Sequence, residues 1–243
     1  MEAQVASLHV EMIAGRKSGP TLVFLHHGLG CCALWRDYPA KLAAASGLPA
    51  LVYDRLGHGR SPAAEGPRGP RYLQQEAAAL ADLLCARGVR DCILIGHSDG
   101  GSIALLAPVA ARGIITEAAH LFVEPVTRRG IRKTVDLYHQ GLRERLFRYH
   151  GAKTDTLFWE WAGCWLAPSF DTFDIRADVR NPRCPVLALQ GADDEYGTVA
   201  QLEAIAANCG GPVETLVLPD CGHEPHQQAF NPTFEAMLRA IKE

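Results

Sequence analysis

The chain has no long apolar run, no block of like charge and no C-x-x-C pair of cysteines, and each absence removes a class of function. A membrane-spanning helix needs roughly 18 consecutive apolar residues, and no stretch of these 243 residues approaches that length. Basic and acidic residues number 24 and 27, a net charge of −3 spread along the chain, which gives no field suited to a nucleic acid or an anionic membrane. The cysteines at 31, 32, 85, 92, 164, 184, 209 and 221 form no C-x-x-C pair. Such spacing fits reduced thiols better than a disulfide framework or a zinc site. No H-x-x-x-H or H-E-x-x-H pattern occurs among the ten histidines, so neither metal nor cofactor is expected. The opening MEAQVASLHVEMIAG carries an early acid and no apolar leader core, and a cytoplasmic location is expected.

What is present is rhythm. The runs TLVFLH (21–26), ALVYD (50–54), CILIGH (92–97), AHLFVE (119–124), PVLALQG (185–191) and VETLVLP (213–219) read as buried parallel strands, with LHVEMIAG (8–15) as an antiparallel one. Between them LWRDYPAKLAAAS, YLQQEAAALADLLCARG, GSIALLAPVAARG and VAQLEAIAANCG read as helices. The alternation predicts an α/β fold: a mostly parallel sheet of about seven or eight strands with helices on both faces. One interval departs from it. Residues 126–181 contain no strand pattern but hold three of the four tryptophans, which predicts a helical lid inserted into a core formed by 1–125 and 182–243. Trp159, Trp161 and Trp165 are candidates for a pocket wall, together with His27 and Leu29.

Gly96-His97-Ser98-Asp99-Gly100 matches G-x-S-x-G between an apolar strand and a helix. A sharp strand-to-helix turn lifts the central hydroxyl above the sheet, and flanking glycines let the two elements pass. Ser98 is therefore the candidate nucleophile, and Asp99 is expected to offer its backbone N–H to an oxyanion hole. A serine needs a base. His223, in LPDCGHEPH after the last predicted strand, reaches the same edge of the sheet. His226 is expected to help start the C-terminal helix, and His97 to point away from the site. His9, His120, His139 and His150 lie in ordinary element contexts. The base needs a buried carboxylate to hold its tautomer, and LALQGADDEYGT supplies three: Asp193, Asp194 and Glu195. FLHHGLG (24–30) ends a strand in a glycine-bearing loop that can aim a second N–H at the serine.

These segments together resemble the α/β-hydrolase superfamily nearly from end to end. FLHHGLG resembles its oxyanion loop, YDRLGHGRSP the loop after its third strand, GHSDGG its nucleophile elbow, QGADDEYG its acid turn and CGHEPH its histidine loop. The resemblance implies that the carboxylate is Asp194, three residues after Gly191, and that Ser98, Asp194 and His223 form a triad. It implies Gly28 as the second oxyanion donor beside Asp99. Because His27 stands where the family usually has glycine, Leu29 stays open for that role. It also implies a structural role for His26. Gly57, His58 and Gly59 are expected to form a tight turn behind the site.

The reading that follows is hydrolysis of a small to medium apolar acyl ester through an acyl-enzyme, on a small-molecule substrate. An acyl-CoA thioesterase, a lactonase and a carbon–carbon bond hydrolase use the same triad. RRGIRK (128–133) would meet CoA phosphates in the first of these, or else is a solvated helix face. A ligand receptor on the same scaffold, without turnover, is the alternative from another class.

Overall fold

The computed structural model describes residues 7–64, 66–180 and 182–242. Residues 1–6, on which part of the leader expectation rests, and residue 181, at the expected domain boundary, lie outside the described residues. The sheet has seven strands among the described residues: β1 Val10–Ile13, β2 Thr21–Leu25, β3 Ala50–Tyr53, β4 Cys92–His97, β5 Gly113–Glu117, β6 Val186–Gly191 and β7 Val213–Leu218. Their order is β1-β3-β2-β4-β5-β6-β7, and every pairing is parallel except that of β1 with β3.

The central strands are apolar throughout because both faces are covered. Every residue of β4 is buried. Side chains alternate across the pleat: Val23, Leu25 and Leu94 enter one core, with Leu73 and Leu80 of the helix Tyr72–Ala86. Leu22, Phe24, Ile93 and Ile95 enter the other, with Leu42 of the helix Tyr38–Ser46 and Met237 of the helix Phe230–Lys242. We label the helices α1 (Tyr38–Ser46), α2 (Tyr72–Ala86), α3 (Asp99–Leu106), α4 (Pro125–Leu137), α5 (Arg143–His150), α6 (Thr154–Leu166), α7 (Ala200–Asn208), α8 (Pro225–Gln228) and α9 (Phe230–Lys242). No described helix is long and apolar enough to cross a membrane.

One strand lies elsewhere than predicted. Residues 119–124 form no strand; the fifth strand is Gly113–Glu117, inside the segment read as a helix ending at Gly113. The helix α3 stops at Leu106, two residues before Pro108, which cannot donate to a helical ladder and disfavours helix in the residue before it. The β-branched Ile114, Ile115 and Thr116 are then free to pair with β4 and β6. The run 119–124 is apolar for another reason: Ala119 and Leu121 are buried, the Leu121 carbonyl accepts from the Ile175 N–H at 2.8 Å, and Phe122 bridges Asp174.

The chain winds away from β2 in both directions, with β3 on one side of it and β4 on the other. In open parallel sheets ligands bind at the carboxyl ends of the strands flanking such a reversal. The FLHHGLG loop leaves β2 there and the elbow leaves β4, while α4, α5 and α6 follow β5 before the chain returns to β6.

Candidate active site

Ser98 has φ 55° and ψ −119°, a left-handed conformation that a non-glycine residue keeps only when its surroundings impose it. The surroundings do so here. The Ser98 N–H donates to the Glu117 carbonyl at 2.8 Å, and its own carbonyl accepts from the N–H groups of Gly101 and Ser102 at 2.9 and 3.1 Å. A Cβ at Gly96 would collide with the Gly100 carbonyl, and one at Gly100 with the Leu25 carbonyl. Both obstacles are backbone and cannot rotate away. Gly100→Ala is therefore expected to destabilise the fold by about 3 kcal/mol, a fall in Tm of roughly 6–12 °C for a chain of this size, measurable by thermal unfolding.

The elbow brings Ser98 Oγ to 2.9 Å from His223 Nε2. On the other side of the imidazole, Nδ1 lies 2.9 Å from both carboxylate oxygens of Asp194. With the proton on Nδ1 facing the carboxylate, Nε2 is left to accept from the serine. Of the three competing acids only Asp194 is buried; Asp193 and Glu195 are exposed. Its oxygens also accept from the Tyr196 N–H at 2.8 Å, the Gly197 N–H at 3.3 Å and Gln190 Nε2 at 2.6 Å. Burial alone would raise the Asp194 pKa, but the facing imidazole, by charge and hydrogen bond, holds it below its ordinary value. Burial likewise opposes a charged His223, yet Asp194, with Glu195 and Glu224 behind it, raises the imidazole pKa above its ordinary value.

The loop after β2 is held from behind. The His27 carbonyl accepts from His26 Nδ1 at 2.8 Å, from the Arg55 guanidinium at 2.9 Å and from the Gly30 N–H at 2.9 Å. Carbonyl and N–H of one trans peptide point in opposite directions, so these anchors turn the Gly28 N–H away from Arg55. The Leu29 N–H instead faces His27 Nδ1 at 3.4 Å. His150, from α5, accepts from the Gly59 N–H at 2.9 Å and holds the Leu29 carbonyl at 3.1 Å, tying the helical insertion to this loop. Gly57 and Gly59 have φ of 82° and 46°, and the turn they make packs His58 behind the loop, as expected of it.

The serine opens into a cavity of about 520 Å³, within the range of small-molecule sites. His27, Gly28, Leu29, Ser98, Asp99 and His223 line it, together with Trp161 and Trp165 of α6. Trp159 does not line it and is 44% exposed. Helical periodicity explains the correction: Trp161 and Trp165, four apart, share a face, whereas Trp159 projects about 200° away from Trp161 and packs on Tyr138 and His139 instead. His97 and His120 also depart from expectation. Both line the cavity; His97 Nε2 donates to the His223 carbonyl at 2.6 Å, and His120 Nε2 donates to the Tyr196 carbonyl at 3.0 Å. His226 lies in α8, just before the C-terminal helix, paired with buried Glu117 at 2.9 Å. His139 stays outside the cavity, and His9 pairs with Glu11.

Sequence reasoning missed Tyr196, Arg55 and Tyr72. The Tyr196 ring lies 4.6 Å from the His223 ring. Tyr72 donates to the Asp99 carboxylate at 2.9 Å and accepts from Trp165 Nε1 at 2.8 Å, with fully buried Arg55 at 3.7 Å from the same carboxylate. Tyr196 was within reach, two residues beyond the acid. Arg55 and Tyr72 carry no local signal, because their partners are 44 and 27 residues away in the chain.

A model of the alpha/beta hydrolase family matches residues 22–236. The chain is 31% identical over 133 residues to the 2-succinyl-6-hydroxy-2,4-cyclohexadiene-1-carboxylate synthase of Shigella flexneri, covering 53% of this chain and 50% of that protein. It is 33% identical over 102 residues to the lipase LipV of Mycobacterium tuberculosis (strain ATCC 25618 / H37Rv), covering 42% and 36%. The chain thus spans about half the length, or less, of the curated relatives it matches. In fold it is similar to MGS-M2, an alpha/beta hydrolase enzyme from a Medee basin deep-sea metagenome library, with a TM-score of 0.79, 14% identity and coverage of 97% and 94%. Because the family model spans the sheet from β2 through the histidine loop and into α9, the chain belongs to the alpha/beta hydrolase family.

Proposed function

We propose that the protein is a serine hydrolase that cleaves a carboxylic ester of a small-molecule acyl substrate through an acyl-enzyme. The observation that carries this reading is the unbroken hydrogen-bond chain from Asp194 through His223 to Ser98. The Ser98 oxygen attacks the carbonyl carbon while His223 Nε2 takes its proton. Asp194 keeps the imidazole in the Nδ1–H tautomer and stabilises the cation that forms. The N–H groups of Gly28 and Asp99 receive the developing oxyanion; neither donates to a protein acceptor among the described residues. Gly28 is preferred over Leu29, whose N–H is directed at His27. His223 then gives its proton to the leaving alcohol, and water, activated by the same nitrogen, attacks the acyl carbon and restores Ser98. In this reading residues 126–181 act as a lid, since Trp161 and Trp165 of that segment supply apolar wall to the cavity that holds Ser98. Seating CoA phosphates on RRGIRK is not favoured: Arg128 is tied to the Leu166 and Ala167 carbonyls and Asp171, and none of Arg128, Arg129, Arg132 and Lys133 lines the cavity.

A fluorophosphonate probe is expected to label wild-type protein at Ser98, located by peptide mass spectrometry, and a panel of nitrophenyl esters of graded acyl length to be turned over. Absence of both labelling and turnover would favour a ligand receptor on this scaffold. The pH profile checks the base. The free imidazole is the active form, so kcat/KM is present above the His223 pKa and lost as pH falls through it. Because that pKa is raised, the acidic midpoint is expected above the ordinary histidine value of about 6.5. A profile flat from pH 5 to 8 contradicts the role given to His223.

A further inference from the structure

Three guanidinium groups on the cavity wall are left without counter-charge. Arg36, Arg145 and Arg148 all line the cavity, and none forms an ion pair or a side-chain hydrogen bond among the described residues. Other arginines of the insertion divide: Arg143 is paired with Asp155 and Arg128 with Asp171, whereas Arg129 and Arg132, which are unpaired among the described residues, do not line the cavity. Arg145 and Arg148 are three apart on α5 and so share a face. Of the cavity-wall carboxylates, Asp99 is bound by Tyr72 and faced by Arg55, while Glu195 and Glu224 directly follow Asp194 and His223 in the chain and contribute to the field on the imidazole. None of them pairs with the three arginines.

Arg36 adds an independent observation. Its backbone has φ 53° and ψ −129°, nearly the conformation of Ser98, in a region that favours glycine. The Arg36 N–H ends the turn Cys32–Trp35 by donating to the Ala33 carbonyl at 3.2 Å, but its exposed side chain has no protein partner among the described residues, so nothing in the protein requires an arginine at this strained position. Retained strain of this kind points to a functional placement of the side chain. Guanidinium groups present forked donors that match the paired oxygens of carboxylates and phosphates.

We propose that the cavity takes an acyl compound bearing an anionic group, which Arg36, Arg145 and Arg148 hold while the scissile carbonyl lies over Ser98. This deepens the hydrolase reading and rests on it. The shared chemistry is an oxyanion-bearing group, supplied either by a carboxylate on the acyl chain or by the phosphates of a CoA leaving group.

The test compares p-nitrophenyl hydrogen glutarate with p-nitrophenyl valerate, and an acyl-CoA with the same acyl thioester of N-acetylcysteamine, which lacks phosphates. Wild-type protein is expected to favour the anionic member of at least one pair by tenfold or more in kcat/KM. That preference should shrink as ionic strength rises. The variant Arg145→Ala/Arg148→Ala is expected to lower the preference at least tenfold, mainly through KM, while keeping the wild-type Tm because both residues are exposed. The favoured pair identifies the source of the anion. Equal or better turnover of both neutral members overturns the anionic subsite and leaves the hydrolase reading standing. Binding is read separately, by titrating Ser98→Ala protein with glutaramate and with valeramide and following tryptophan fluorescence. Arginine-dependent binding of the anion alone, in a protein that turns over none of the substrates, would keep the subsite and sink the hydrolase reading.

Discussion

Ser98→Ala is expected to lower ester turnover by about ten-thousand-fold or more, with little change in stability. The kinetic half follows from geometry. Ser98 Oγ is the atom that His223 Nε2 faces at 2.9 Å, and removing it leaves the imidazole with no nucleophile to activate. Residual turnover would come from substrate binding and the oxyanion donors acting on attack by water. The stability half follows from the backbone. Alanine at 98 inherits φ 55°, which the Glu117 carbonyl and the glycines at 96 and 100 impose regardless of the side chain. The hydroxyl's own bond runs to His223, so its loss leaves the core packing intact. Steady-state kcat and the thermal midpoint, measured on one preparation, check both halves. Turnover within tenfold of wild type would remove Ser98 as nucleophile.

Asp194→Asn tests the base's tautomer and is expected to cost about a thousand- to ten-thousand-fold in kcat. The direction is set by the surroundings of the carboxylate. Oδ1 accepts from the N–H groups of Tyr196 and Gly197, so the amide oxygen of asparagine is retained there. The NH2 group then occupies the place of Oδ2, 2.9 Å from His223 Nδ1, and faces it donor to donor. The neutral oxygen kept at Oδ1, also 2.9 Å away, is a weaker acceptor than a carboxylate. The preference for the Nδ1–H tautomer falls, and moving the proton to Nε2 lets Nδ1 accept from the new NH2. In that tautomer His223 can no longer accept from Ser98. The amide group also meets Gln190 Nε2, which is committed on its other side to the Gly197 carbonyl at 3.1 Å, so the clash resists relief by a flip of Gln190. Asp193→Asn, one residue earlier and exposed, is expected to leave kcat within twofold. Equal losses from the two variants would mean that the acid turn acts through net charge and not through one positioned carboxylate.

Residue patterns alone determined the strand–helix alternation, the elbow, the two flanking glycines and the chemical types gathered at the strand ends. They could do so because each is a short-range property: pleat alternation, helical period and a sharp turn are written within a few residues. The misplaced fifth strand marks the limit of that reasoning, since an apolar run such as 119–124 is buried equally well as a strand or as a packed loop, and Pro108 was the local sign that the preceding helix ends early. What the tertiary structure decided is everything that depends on distance across the chain. It selected Asp194 from three consecutive acids by burying one of them, and turned Trp161 and Trp165 inward while leaving Trp159 outside. It aimed the Gly28 N–H by anchoring the His27 carbonyl on Arg55, and carried His97 against the His223 carbonyl 126 residues away. The physical reason is that strand order and register in the sheet set the separation of residues far apart in sequence, and no periodicity or motif within one segment encodes its neighbour's position.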